Sequence, residues 1–135
     1  MSQENVEIVR RVLELWNEGG VVARDRRPEF FDPEFQMDLR GRKINPAVYD
    51  GYEGLDRFGS DVNDVWDQFS IELLELIDAD PHVVTVFEAT GRGRGSGIEV
   101  RAELSWVWTL RGGRVMRVEG DFDRASALEA AGLSE

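Results

Sequence analysis

The sequence predicts an α+β domain in which helices cover one face of an antiparallel sheet. Two observations carry this. Up to Trp66 the apolar residues recur at helical spacing, in "VEIVRRVLELW" and again from Leu55. From Phe69 onward the period falls to two and the residues become β-formers. The 135 residues, 41% of them hydrophobic, fit a single domain over 1–135, long enough to enclose a core and a small cavity.

The first helix runs through "SQENVEIVRRVLELWNEGG". Val6, Val9, Leu13 and Trp16 form its apolar stripe, and Ile8, Val12 and Leu15 widen it. Ser2 or Asn5 is placed to cap the start, and Gly19-Gly20 supplies a left-handed stop. Pro28 then begins a short helical turn. Pro33 drives Asp32 out of helical geometry, and "EFQMDLR" alternates as a strand, with Phe35, Met37 and Leu39 on one face and Gln36, Asp38 and Arg40 on the other. "GRKINPAVYDGYEG" is rich in turn residues and reads as a loop. Leu55, Phe58, Val62, Val65 and Trp66 mark a second amphipathic helix.

Four strands in meander order follow: "FSIELLELIDA", "HVVTVFEATGR", "GIEVRAELSWVWTLR" and "RVMRVEGDF". Asp80-Pro81 separates the first pair and Gly112-Gly113 the last. In the tail "DFDRASALEAAGLSE", Asp123 caps a short closing helix, which Gly132 stops. The stretch "GRGRGSG", residues 91–97, lies between two strand patterns. Its glycines therefore serve a bulged hairpin turn, since no helix follows whose N-terminus would hold a phosphate.

Charge and composition narrow the chemistry. A net charge of −11 lacks the basic field that neutralises phosphates, which argues against nucleic acid and anionic membranes as partners. With no cysteine, the chain has no disulfide, thiolate nucleophile or Cys-based zinc site. The single histidine, His82, starts a strand without an evident partner, and the acidic runs "ARDRRPE" and "DVNDVWDQ" read as solvated faces. The expectation is a cytoplasmic protein without metal or cofactor.

The order "VRRVLELWNEGG", "FFDPEFQMDLRG", "YDGYEGLDRF", "SGIEVRAELSWVWTLRGGRVMRVEGDFD" and "ALEAAGL" resembles the NTF2-like superfamily, in its SnoaL-like and ketosteroid-isomerase-like branch. The resemblance spans nearly the whole chain but rests on diffuse apolar patterns. It implies a cone-shaped, strongly curved sheet closed by helices, a pocket at the open end, and frequently a homodimer.

Candidate site residues follow from the resemblance and the alternation together. Asp38 falls where isomerase-type members carry their proton-abstracting carboxylate; the other reading is a wet strand face on which Asp38 pairs with Arg40 or another cation. Trp106 is a candidate donor to a developing oxyanion. Trp16, Phe31, Phe35, Trp108, Val118 and Phe122 are candidates to shape the pocket, although Phe31 and Phe35 equally suit packing behind the sheet. The indole N–H groups of Trp106 and Trp108 each need an acceptor if buried.

Two departures stand out. The positions of the steroid isomerases' oxyanion donors are held here by Val12 and Trp106, which argues against steroid isomerisation. "VEGDFD" puts Gly120 where the epoxide-hydrolase branch has an acid and, by alternation, turns Asp121 to the opposite face. The reading is a module that binds a small, largely apolar or carbonyl-containing molecule, with cofactor-free proton transfer of the polyketide cyclase or isomerase type. The alternative is a non-catalytic binding or dimerisation module of the same fold.

Overall fold

The computed structural model describes residues 2–19, 24–42 and 46–133. Helix α1 (Ser2–Gly19) is followed by a 3-10 turn (Arg24–Arg26), the short α2 (Arg27–Phe30), β1 (Phe31–Asp38), β2 (Val48–Asp50) and α3 (Gly51–Val65). Then come β3 (Trp66–Ala79), β4 (His82–Gly93), β5 (Glu99–Arg111), β6 (Arg114–Phe122) and α4 (Arg124–Ala130). The strands form one curved, unclosed sheet in the order β2-β1-β6-β5-β4-β3. The meander of four strands is antiparallel, and β1 joins it parallel to β6.

Most elements lie where hydrophobic period placed them, and the differences have physical causes. Pro33 stands inside β1, near a register irregularity between Phe31 and Gln36 where a missing N–H costs no ladder bond. The segment read as a loop contains β2, whose three residues are too few to show a period, and α3 starts at Gly51, whose φ of 65° suits glycine. Trp66 opens β3 instead of closing the helix. Asn5 lies inside α1 and is no cap: its amide donates to Asp80 Oδ1 at 3.2 Å. Gly20 of the expected helix stop lies outside the described residues, whereas Asp123 does cap α4, accepting from the Ser126 N–H at 2.7 Å.

Two apolar clusters flank the sheet. The larger joins α1 and α3 to the inner face, through Val9, Leu13, Leu55, Phe58, Trp108 and Val118. The smaller, on the outer face, packs Ala127, Leu128 and Ala131 of the α4 region against Val84 and Val107. The parity of β5 sorts the two: Trp106 and Trp108 face inward and Val107 outward.

"GRGRGSG" is structural but only half a turn: residues 91–93 finish β4, and the chain turns after them at 94–97. Gly95 and Gly97 have positive φ, while Gly91 is needed for space, because a Cβ there would meet the Trp66 ring at 2.7 Å. Arg94 donates from Nε to the Asn63 carbonyl at 2.8 Å and from Nη2 to the Trp66 carbonyl at 3.0 Å, tying the hairpin to the end of α3.

Candidate functional site

Between α1, α3 and the inner face lies a cavity of about 190 Å³. Helix α1 contributes Val12, Leu13 and Trp16, and α3 contributes Leu55, Phe58 and Val62. The sheet adds Phe31 and Met37 from β1, Trp66, Phe69 and Ile71 from β3, Phe87 and Ala89 from β4, and Leu104, Trp106 and Trp108 from β5. All four tryptophans of the chain therefore line one cavity. Among the described residues, two charged side chains complete the wall, Arg42 and Asp121.

Asp121 reaches this wall through a β-bulge. Val107 pairs with Glu119 and Ser105 with Phe122, so Gly120 and Asp121 together oppose Trp106. The extra residue inverts the side-chain parity of the strand end. Asp121 turns into the cavity, not to the opposite face as simple alternation had it. Phe122 turns outward and packs against the cluster under α4, not into the pocket.

The bulge also brings Trp106 and Asp121 together. The indole N–H donates to Asp121 Oδ1 at 2.6 Å. Gly120 makes room for this, because a Cβ at that position would collide with the indole five-membered ring. The N–H of Trp108, almost fully buried, goes to Thr85 Oγ1 at 2.9 Å. The half-buried Trp106 and the buried Trp108 have thus both found acceptors.

Of the residues singled out in the sequence, Trp16, Phe31, Trp106 and Trp108 lie on the cavity wall. Phe35 and Val118 are fully buried in the core behind it. Asp38 is elsewhere. It pairs across β6 with Glu119, and its carboxylate accepts from Arg40 Nη2 at 2.8 Å, Arg40 Nε at 3.1 Å, the Arg40 N–H at 3.0 Å and Arg117 Nη2 at 3.0 Å. Arg117 is itself hydrogen-bonded to Gln36. The Arg40 hydrogen bonds, aided by Arg117, hold the Asp38 carboxyl down at about 2. A carboxylate so stabilised, outside the cavity lining, is poorly suited to take a proton there, and the ion-pair reading of this strand face describes it.

The model of the SnoaL-like domain matches residues 9–118. The chain belongs to the SnoaL-like family. None of the curated proteins matches its sequence. Among solved structures, a protein described as a SnoaL-like polyketide cyclase from Jannaschia sp. CCS1 is 22% identical, with 96% of this chain and 92% of that one covered and a TM-score of 0.74. Bal32a, from a soil-derived mobile gene cassette, is 24% identical over 96% of both chains, with a TM-score of 0.74. A protein with a ketosteroid isomerase-like fold from Catenulispora acidiphila, in complex with trimethylamine, is 15% identical over 94% of this chain and 93% of that one, with a TM-score of 0.70. At these identities the likeness shows the fold, which is the NTF2-like one.

Among the wall residues of this SnoaL-like cavity that sequence reasoning did not assign to the pocket are Trp66, Arg42 and Asp121. Trp66 was hidden by its position at a helix-to-strand junction, and Asp121 by the bulge. Arg42 lies in the turn-rich segment after β1, where residue type gives no direction. Its guanidinium hydrogen-bonds the hydroxyl of Tyr49, a buried side chain of β2 that donates in turn to Asp61 Oδ2 of α3 at 2.5 Å. Burial, and then the bond to Asp61, push the Tyr49 hydroxyl above its ordinary value, while Arg42 pulls it back. The guanidinium of Arg57 covers the Tyr49 ring at 5.5 Å. Tyr49 thus links α3 to the segment that carries Arg42.

Proposed function

We propose that this SnoaL-like protein binds a small, largely apolar carbonyl compound in its cavity and moves a proton at the carbon beside the carbonyl, without a cofactor. The reaction class is that of polyketide cyclisation or isomerisation. The observation that carries this reading is the position of Asp121: among the described residues it is the one carboxylate on a wall that, Arg42 aside, is apolar and aromatic, and the Trp106 N–H holds one of its oxygens.

The roles differ from those expected of the sequence. Asp121 replaces Asp38 as the base, because general-base catalysis requires reach to the substrate. The N–H of Trp106 is engaged by Asp121, so it orients the base. Trp16, Phe31 and Trp108 give the ligand its apolar contacts and keep water from the reacting carbon. The trimethylamine complex of the Catenulispora neighbour is consistent with a small-molecule occupant. A homodimer and a cytoplasmic location remain part of the proposal, the former open to light scattering.

The test is deuterium exchange. A panel of ketones and 1,3-dicarbonyl compounds is incubated with the protein in D2O, and loss of the α-proton signal is followed by NMR. Exchange by the wild type that falls at least about a hundredfold in Asp121→Asn supports the assignment. Exchange that survives the substitution removes Asp121 as the base. Ligand binding, read from tryptophan fluorescence, without any exchange leaves a non-catalytic binding module.

A further inference from the structure

Removing a proton beside a carbonyl leaves negative charge on oxygen, and the proposed reaction needs a group to receive it. Neither Val12 nor Trp106 meets that need: valine has no donor, and the indole N–H is held by Asp121. We infer that Arg42 is the group that receives the charge, and that the substrate is a carbonyl compound whose enolate oxygen lies against its guanidinium.

Among the described residues, Arg42 and Asp121 are the two charged side chains on a wall that is otherwise apolar and aromatic. Their opposite signs suit opposite ends of one step. The Asp121 carboxylate takes the proton from the α-carbon, the C–H electron pair becomes the new C=C bond, and the carbonyl π pair moves onto oxygen as the enolate. Asp121, now a carboxylic acid, returns the proton to a carbon of the same conjugated system. No oxidant, reductant or co-reactant is consumed.

Arg42 is also held for the task. A guanidinium carries five N–H donors in a planar fork, so its bond to Tyr49 is compatible with a second bond to a ligand. Tyr49 is fixed by Asp61 on one side and the Arg57 guanidinium over its ring, which limits how far Arg42 swings. Arg42 is thus a specificity residue. It favours ligands that are, or become, anionic at oxygen over neutral ones of the same shape.

This inference rests on the cavity being the ligand site, with Asp121 as base, and a binding experiment separates the two. The probes are 4-nitrophenol, whose phenolate mimics an enolate and absorbs visibly, and 4-nitroanisole, a neutral analogue of similar shape. Affinities come from quenching of the four cavity tryptophans, and the ionisation of bound nitrophenol from its absorbance across a pH series.

The wild type is expected to bind the phenolate form roughly tenfold more tightly, relative to nitroanisole, than Arg42→Met does. Arg42→Lys should keep part of that preference, and Asp121→Asn should raise it by removing a like charge from the same space. Unchanged nitroanisole affinity in Arg42→Met shows that the cavity is intact. If that affinity is lost, Arg42→Gln takes its place in the comparison. A phenolate preference unaltered by loss of the Arg42 charge overturns the inference while leaving the cavity reading standing. A wild type that binds neither probe overturns both.

Discussion

The Trp106 indole lies across the backbone of Gly120 and donates its N–H to Asp121 at 2.6 Å. Three successive features of one bulge therefore act together: a residue without Cβ, a ring over it, and a carboxylate turned inward. The expected consequence is that Gly120→Ala harms the site more than its single added methyl suggests. The ring is obliged to move and the Asp121 bond is stretched, at a cost of about 1–3 kcal/mol in stability. Urea unfolding measures the first effect. A changed tryptophan emission maximum in the folded state reports the second, and a variant with wild-type stability and emission would show that the ring was not confined by Gly120.

Trp108 makes a parallel case deeper in the core. Its N–H meets Thr85 Oγ1 at 2.9 Å, and Thr85 is fully buried. Thr85→Val keeps the shape and deletes the acceptor, leaving a buried donor unpaired at a cost of about 1–3 kcal/mol. Thr85→Ser keeps the acceptor and loses a methyl, so it should cost about 1 kcal/mol. Comparison of the two unfolding midpoints isolates the hydrogen bond. If Ser proves as damaging as Val, the methyl and not the hydroxyl holds Trp108.

These indoles also show what a sequence reveals and what it conceals. Period-two alternation placed Trp106 and Trp108 on one face, and the chemistry of a buried indole required acceptors, but neither identified them. Thr85 is 23 residues from Trp108 and Asp121 is 15 from Trp106, joined only through strand register. Register is legible while alternation is strict. It fails at a bulge, where one extra residue inverts all that follows, and so Phe122 and Asp121 exchanged faces relative to expectation. Asp38 failed for another reason. The alternation put it opposite Phe35 and Met37, yet the family pattern suggested a place beside the pocket, whereas its carboxylate is held by Arg40 and Arg117 outside the cavity lining. Arg42 left no periodic trace at all.

The edge of the sheet yields a prediction about association. Strand β3 is an edge strand, and the Asn17 side chain of α1 pairs with it as another strand would. Its Nδ2 donates to the Ile71 carbonyl at 2.6 Å and its Oδ1 accepts from the Ile71 N–H at 3.0 Å. Asn17→Ala removes both bonds and bares that stretch of edge. The variant should lose about 1–2 kcal/mol and self-associate more readily with concentration, as light scattering would record. Unaltered scattering and stability would mean that water replaces the amide without loss.

The ion-paired face of β1 gives the pH dependence of the fold. The Asp38 carboxyl, chiefly through its Arg40 hydrogen bonds, sits at about 2 in the folded chain, against roughly 3.9 for an unfolded aspartate. A depressed folded value means that the unfolded chain binds the proton more readily. The stabilisation is complete above the unfolded value and is lost as pH falls towards 2. Asp38→Asn should therefore be less stable than the wild type by a constant margin above about pH 5, and the margin should close through the window below about pH 4. Because Asp38 lies outside the cavity lining, the same variant should keep wild-type affinity for nitroanisole at neutral pH. Urea midpoints of both proteins at several pH values between about 2 and 7 decide the matter. A margin that stays constant down to the acid end would mean that Asp38 titrates alike in both states and that its arginine contacts contribute nothing to folding.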